Sequence, residues 1–180
     1  MLVIQDVVSK ILVTEQEIAE INKRLGAEIT KNYAGKNLIM VSVLKGSSIF
    51  MSDLIRNVDL PCVIDFMEVS SYSGMTGGNG NVKILKDLSV DIKNCDVLIV
   101  EDILESGYTI DCVIRMLNSR NPGSIRICTF IDKPQRRKLD IKADYVGVEM
   151  GSEFVIGYGM DYYEKYRNLP FIGLMNPKYI

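Results

Sequence analysis

The stretch from residue 97 to residue 109 constrains the fold more than any other part of the chain, because its residue types change in an informative order. The four apolar residues 97–100 are typical of a strand buried on both faces, as in parallel sheets. Two acids, Glu101 and Asp102, follow at the predicted carboxyl end of this strand, and a short loop at 105–107 then leads into a helical pattern. Ligands of open α/β sheets bind at this end of the strands. The order therefore predicts a strand, loop and helix that together hold a ligand.

The loop after this strand has the residues that an anion site needs. A loop that runs into a helix N-terminus offers unpaired N–H groups and the positive end of the helix dipole. Gly107 allows the backbone to come close, and Ser106 and Thr109 add hydroxyl groups. A sugar phosphate suits this arrangement, with its phosphate on the loop and its hydroxyls on the paired acids. The alternatives are an ordinary strand end with solvated acids and a Walker B strand, but the sequence has no G-x-x-x-x-G-K-[ST] loop upstream.

The chain contains no histidine, which removes Ser-His-Asp and Cys-His nucleophile systems and the commonest metal ligand of proteins. Proton transfer must then be carried out by Asp, Glu, Lys or Tyr. A metal ion would be a hard ion held by oxygen, and Mg²⁺ is the leading candidate beside phosphates. The four cysteines are widely spaced, which indicates reduced thiols in a cytoplasmic protein.

Length and charge indicate one globular domain over residues 1–180, since this length suffices for a sizeable core. The net charge of −2 gives no general attraction to nucleic acid or to membranes, so any phosphate binding must be local. The basic run 136–138 can be read as an RNA-binding patch but is more typical of a solvated face. No apolar run is long enough for a transmembrane helix, and the N-terminus lacks a signal-peptide pattern. We therefore expect neither a nucleic-acid nor a membrane partner.

A second strand-to-helix loop repeats this pattern earlier in the chain. The apolar run 38–43 predicts a buried strand, and a helix is expected from about Ser48 to Arg56. Lys45 and Gly46 lie in the loop between them, where they suit a second anionic group. An ordinary strand-to-helix turn is the alternative.

The N-terminal part predicts a packing helix. Thr14 and Glu17 form a capping-box pattern, and apolar residues at helical spacing follow until the stop at 33–35. The preceding residues 10–13 are read as a short strand outside the main sheet.

Three further strands are predicted, at 61–69, 82–85 and 124–131. The glycine-rich segment between the first two is read as a mobile loop, typical of lids or of disordered segments, with a solvated hairpin tip as the alternative. Strands and helices joined by short connections imply a parallel sheet with right-handed crossovers.

The aromatic segment 154–170 is either a packed surface layer or a binding site for a purine base. In the second interpretation an aromatic face stacks on the base, and Lys133 donates a hydrogen bond to a carbonyl oxygen of the purine.

These segments together resemble the type I phosphoribosyltransferases, and within them the bacterial hypoxanthine-guanine family. The resemblance includes the central stretch, the Leu-Lys-Gly loop, the late lysine, and the Phe-Val-x-Gly-Tyr, Asp-Tyr and Arg-Asn-Leu strings, from about Ile11 to Met175. It implies an α/β fold: a parallel-sheet, Rossmann-like core at about 35–150 flanked by helices. A small hood would come from about 1–15 and 151–180, and a flexible active-site loop from about 70–82.

The resemblance also implies a role for each matching residue. Contacts to the ribose and the 5′-phosphate are expected from Glu101, Asp102, Ser106, Gly107, Tyr108 and Thr109. Pyrophosphate binding is expected from Lys45, Gly46 and Arg167, and the lid pair is Ser71 and Tyr72. Purine contacts are expected from Lys133, Phe154, Val155 and Asp161, and Mg²⁺ would be held by Glu101, Asp102 and Asp161. Glu105 takes the position of the general base, where the family normally has aspartate.

The implied activity is purine salvage: Mg²⁺-dependent transfer of the phosphoribosyl group from phosphoribosyl pyrophosphate to N9 of hypoxanthine or guanine. The family usually forms homodimers or homotetramers. Two other classes stay open at this stage. One is a regulator that binds phosphoribosyl pyrophosphate and nucleic acid, which Glu105 supports, whereas Lys133, Phe154 and Asp161 argue against it because a sensor needs no purine site. The other is a phosphoribosyltransferase for xanthine or a pyrimidine.

Overall fold

The structure is a computed structural model that describes residues 4–71 and 82–179. Its helices are α1 (Ile4–Val7), α2 (Glu15–Asn32), α3 (Ser47–Ile55) and α4 (Tyr108–Asn118). Its strands are β1 (Val8–Val13), β2 (Leu38–Leu44), β3 (Val63–Ser71), β4 (Val82–Lys86), β5 (Asp96–Leu104), β6 (Ser124–Asp132), β7 (Tyr145–Glu149), β8 (Val155–Ile156) and β9 (Ile172–Met175). Among these described helices, none combines the length and the apolar character needed to cross a membrane.

The core is a six-stranded sheet in the order β4-β3-β2-β5-β6-β7. All neighbouring strands are parallel except β3 and β4, which are antiparallel. The predicted α/β fold with a central, mostly parallel sheet is therefore confirmed. Because parallel strands direct their carboxyl ends to one edge, the loops after β2, β5 and β6 meet there.

The central strand β5 lies between β2 and β6, and its apolar residues 97–100 have no exposed surface. The structure corrects one boundary. β5 continues to Leu104, so Glu101 and Asp102 lie within the strand and not after it. The reason is that the parallel ladder with β6 continues to the pair Leu104 and Asp132, where hydrogen bonds to a neighbour sustain the strand beyond its apolar run.

The helix α2 begins as its sequence predicts. Thr14 is the N-cap, and both hydrogen bonds of the capping box form between Thr14 and Glu17. Ile18, Leu25 and Ile29 are buried against the main sheet, which confirms a packing role for this helix.

A second, three-stranded sheet has the order β1-β9-β8 and is antiparallel. It brings together the two ends of the chain, and β1 lies outside the main sheet as predicted. The exact limits of the hood and core stay a prediction.

The strands on either side of the predicted lid form as expected, with β3 and β4 paired up to Ser71 and Val82. Ser71 ends β3, while its side chain and Tyr72 lie outside what the structure describes, as does the rest of the lid.

Candidate active site

The loop between β5 and α4 forms a pocket of about 250 Å³ at the carboxyl edge of the main sheet. Gly107 has a φ of 91° and precedes the first residue of α4, so the loop turns directly into the helix N-terminus. Ser106, Gly107 and Thr109 line this pocket, together with Glu101 and Glu105. The residues predicted to bind a phosphate group are therefore gathered in one place, with the exposed Tyr108 beside them.

The two adjacent acids serve different pockets. Successive side chains of a strand point to opposite faces. Glu101 accordingly lines the loop pocket, whereas Asp102 lines a second pocket of about 190 Å³ on the other side. The strand β5 thus places one carboxyl group on each side of the sheet edge.

Both carboxyl groups have a raised pKa. Burial raises the pKa of Asp102 to about 6, although the Ile103 N–H donates a hydrogen bond to it at 2.9 Å. Burial, and then the neighbouring Asp102, raise the pKa of Glu101 well above its usual range. The Glu101 Oε2 atom is buried and has no hydrogen-bond partner within residues 4–71 and 82–179. A ligand that brings hydroxyl donors or a cation would satisfy these groups.

The raised pKa of Asp102 predicts a pH-dependent effect of Asp102→Asn on stability without ligand or Mg²⁺. Because the folded pKa of about 6 exceeds the ordinary 3.8, the wild type loses stability as pH rises through this window. An asparagine side chain cannot ionise, so we expect the variant to gain up to about 3 kcal/mol relative to the wild type near pH 8, and only about 0.5 kcal/mol near pH 4. Urea unfolding at both pH values measures this, with the exposed Asp59→Asn as control. Equal effects at the two pH values would contradict the prediction.

Gly46 packs directly against Asp102 and against the C-terminal segment. A Cβ atom on Gly46 would lie 1.8 Å from Asp102 Oδ2, and one on Gly159 would lie 2.1 Å from the Gly46 carbonyl oxygen. The neighbouring Leu44–Lys45 peptide bond is cis. Two glycines facing each other therefore let the predicted pyrophosphate loop reach the acids. Gly159 was not predicted, although the Gly-Tyr-Gly string at 157–159 signals tight backbone packing.

The two cations predicted to bind pyrophosphate are joined by Glu164, a residue for which the sequence predicts no role. Glu164 Oε2 lies 3.1 Å from Lys45 Nζ, and Glu164 Oε1 lies 3.4 Å from an Arg167 guanidinium nitrogen. Arg167 also pairs with Asp161 at 2.8 Å, and it donates a hydrogen bond to the Gly159 carbonyl. The only sequence signal for Glu164 was its position between Asp161 and Arg167.

The second pocket gathers the residues predicted to bind a purine. Its lining consists of Asp102, Ile103, Glu105, Lys133, Phe154, Val155, Met160 and Asp161. The Phe154 ring is 41% exposed, and it is held edge-to-face by Tyr162 at a centroid distance of 5.8 Å. An exposed ring fixed from its side is available for stacking.

Lys133 and Glu105 form an ion pair in this pocket. Lys133 is 2% exposed, and its Nζ atom lies 2.7 Å from Glu105 Oε1 and 2.7 Å from the Glu153 carbonyl oxygen. Separate roles are predicted for these two residues from the sequence, and the pair between them is not. A signal existed, because each residue directly follows one of the adjacent strands β5 and β6.

The acids of the site fit a magnesium ion that is held mainly by a substrate. Within the described ranges, no three side chains of the ligating types form a group that would hold a metal alone. Mg²⁺ usually keeps several waters and is bound through one or two carboxylates and substrate phosphates. Asp102 and Asp161 line one pocket, whereas Glu101 lines the pocket on the other side of the strand. Asp102 and Asp161 therefore fit the ion as its carboxylate pair, and Glu101 as a third ligand stays a prediction.

Residues 9–163 match the family described as phosphoribosyl transferase domain. The chain is 54% identical over 169 residues to hypoxanthine-guanine phosphoribosyltransferase of Staphylococcus aureus strain Mu50, covering 94% of each protein. The chain belongs to the hypoxanthine-guanine phosphoribosyltransferase family. As a member, it is a transferase of the glycosyltransferase class, and the predicted resemblance is confirmed.

Solved structures of the hypoxanthine-guanine phosphoribosyltransferase family have the same fold. A hypoxanthine phosphoribosyltransferase from S. aureus, in a tetragonal crystal, superposes with a TM-score of 0.93 at 53% identity, covering 96% of this chain and 94% of that one. A hypoxanthine-guanine phosphoribosyltransferase from Bacillus anthracis, with HEPES in its active site, gives 0.89 at 40% identity, covering 94% and 98%.

Proposed function

We propose that the protein transfers the 5-phosphoribosyl group of phosphoribosyl pyrophosphate to N9 of hypoxanthine or guanine, giving IMP or GMP and pyrophosphate. One observation carries this proposal: Ile103 and Glu105 line both the loop pocket and the purine pocket, so the two pockets share a wall. A nucleotide is a phosphate and a base joined by one sugar, which suits two adjoining pockets. The family membership supports the same reaction.

The ribose phosphate would be held at the β5 edge. The loop residues Ser106 and Thr109 and the N–H groups at the start of α4, from Gly107 and Tyr108 onward, bind the 5′-phosphate. Glu101 and Asp102 accept hydrogen bonds from the ribose hydroxyls. These contacts offset the burial that raises the pKa values of both acids.

The departing pyrophosphate takes the bonding electrons from C1′ and gains negative charge. Lys45 and Arg167, with the backbone at Gly46, stabilise that charge. Lys45 must first exchange its ion pair with Glu164 for the pyrophosphate. Mg²⁺, held by the phosphates with Glu101, Asp102 and Asp161, would supply further charge neutralisation and orientation.

The purine would lie on the Phe154 ring, with its edge read by the backbone at Val155. Lys133 leaves Glu105 and donates a hydrogen bond to the exocyclic oxygen of the base. N9 attacks C1′ as the bond to pyrophosphate breaks, and the proton on N7 passes to Glu105. Asp161 closes the pocket beside Met160.

Three expectations complete the proposal and rest on the family resemblance alone. The lid with Ser71 and Tyr72 closes over the sugar to exclude water. The protein acts in the cytoplasm, and it forms a homodimer or homotetramer.

The test is to incubate the protein with Mg²⁺ and phosphoribosyl pyrophosphate, and to offer hypoxanthine, guanine, xanthine and uracil separately. We expect nucleotide and pyrophosphate to form from hypoxanthine or guanine, and the exposed-site variant Asp59→Asn to behave as the wild type. Turnover of xanthine or uracil alone would overturn the choice of base. No turnover of any base, with the donor still bound, would favour a regulator.

A further inference from the structure

The Glu105 carboxylate contacts two cations, one on each oxygen. Lys133 Nζ lies 2.7 Å from Oε1, while Arg136 Nε lies 3.7 Å from Oε2. Arg136 belongs to the 3₁₀ turn Pro134–Arg136 that follows β6. The carboxylate is thus held between two groups that come from the same turn.

Both cations also contact the turn that leads to Phe154. Lys133 Nζ donates to the Glu153 carbonyl at 2.7 Å, and an Arg136 guanidinium nitrogen donates to the Ser152 carbonyl at 3.5 Å. Each therefore connects Glu105 to the backbone beside the purine pocket. In the part of the chain that the structure describes, Arg136 lines neither the loop pocket nor the purine pocket, although it contacts Glu105, which lines both.

Lys133 and Arg136 have different roles in the proposed reaction. In the proposed reaction Lys133 leaves Oε1 to bind the exocyclic oxygen of the base. Arg136 binds no part of the base in this reaction, so its half-exposed side chain can keep its contact with Oε2. Among the described residues, Arg136 is then the one cation still paired with the carboxylate at the moment when it must accept a proton. Small errors in the position of a reacting group are costly.

We propose that Arg136 is a positioning residue that holds Glu105 by Oε2 while Lys133 is bound to the base. This inference rests on the proposed function, and it gives the basic run 136–138 a role other than a solvated face. The contact between Arg136 and Oε2 depends on the length of the Glu105 side chain. An aspartate would withdraw the carboxylate by about 1.5 Å, beyond reach of Arg136.

The first test measures Arg136→Gln with hypoxanthine and phosphoribosyl pyrophosphate. We expect kcat to fall about 10-fold, with the KM for phosphoribosyl pyrophosphate within about 2-fold of the wild type. Arg136→Lys keeps the charge and should recover most of the activity. Lys138→Gln is the matched control, since it removes the same charge two residues away. Across the described part of the chain, the Lys138 side chain forms no ion pair.

The second test repeats Arg136→Gln in a Glu105→Asp background. Because the shorter aspartate side chain cannot reach Arg136, we expect the second change to alter kcat by less than about 2-fold there. An active wild type with an unchanged Arg136→Gln variant would overturn the inference alone, as would equal losses in both backgrounds. A wild type that converts no base would instead overturn the proposed function.

Discussion

Replacing Gly159 with alanine is expected to lower kcat/KM by about 100-fold or more, because it separates the two loops that complete the site. A Cβ atom there would lie 2.1 Å from the carbonyl oxygen of Gly46, and Gly159 also has a φ of 99°. A backbone oxygen cannot rotate away as a side chain can. The chain must therefore shift, which moves Gly46 away from Asp102 and displaces Arg167, whose guanidinium is bound to the Gly159 carbonyl. Steady-state kinetics and thermal unfolding measure this.

Gly35→Ala is the matched control for this substitution. Gly35 also has a left-handed conformation, with a φ of 75°, but a Cβ atom there would meet no described atom within 4 Å. It should cost about 1–2 kcal/mol of stability from the backbone conformation and leave kcat/KM unchanged. If both variants lose activity equally, the contact between the two loops is not what the reaction requires.

Glu105→Gln is expected to lower kcat about 100- to 10,000-fold, the usual range for the loss of a general base. A glutamine keeps the length of the side chain and can still accept a hydrogen bond from Lys133, but it cannot accept the N7 proton. Binding of IMP should therefore persist while turnover is lost. Single-turnover kinetics with hypoxanthine, together with calorimetric titration of IMP, distinguishes these two effects.

Two companion variants sharpen this experiment. Glu105→Asp keeps a carboxylate in the position where the family normally has aspartate, so it should remain active. Glu153→Gln is the control, since Glu153 contacts Lys133 through its backbone carbonyl and its exposed side chain is dispensable. A Glu105→Gln variant with near-normal kcat would remove Glu105 from the base role.

The sequence predicted the parts of the site that depend on local order. The apolar run, the acids and the loop of the central stretch are close in the chain, so their arrangement follows from the geometry of one strand and one helix. The capping box at Thr14 is local in the same sense. The boundary of β5 was wrong because its last four residues are held by the ladder with β6, which an apolar pattern does not record.

The contacts between distant residues could not be read from such patterns. The ion pair of Glu105 and Lys133 forms because Leu104 and Asp132 are paired in register, so the next residue of each strand meets at the sheet edge. To predict that pairing, one must know that β5 and β6 are neighbours in the sheet, which the sequence pattern does not show. Glu164 reaches Lys45 through the folding of the C-terminal segment, where Tyr163, Glu164 and Tyr166 all have positive φ values. The types of side chain in this segment do not predict positive φ values at these residues.

The placement of Glu101 and Asp102 on opposite faces of β5 has a consequence for insertions and deletions. Adding or removing one residue within the buried run 97–100 would exchange the faces of every later side chain of the strand. Each acid would then enter the wrong pocket, even though the composition of the strand had hardly changed. The exposed turn at 34–36 lies between α2 and β2, outside every paired strand, and a length change there leaves the register of β5 intact. Length variation among functional versions of this protein should therefore collect in such turns and be absent from β5.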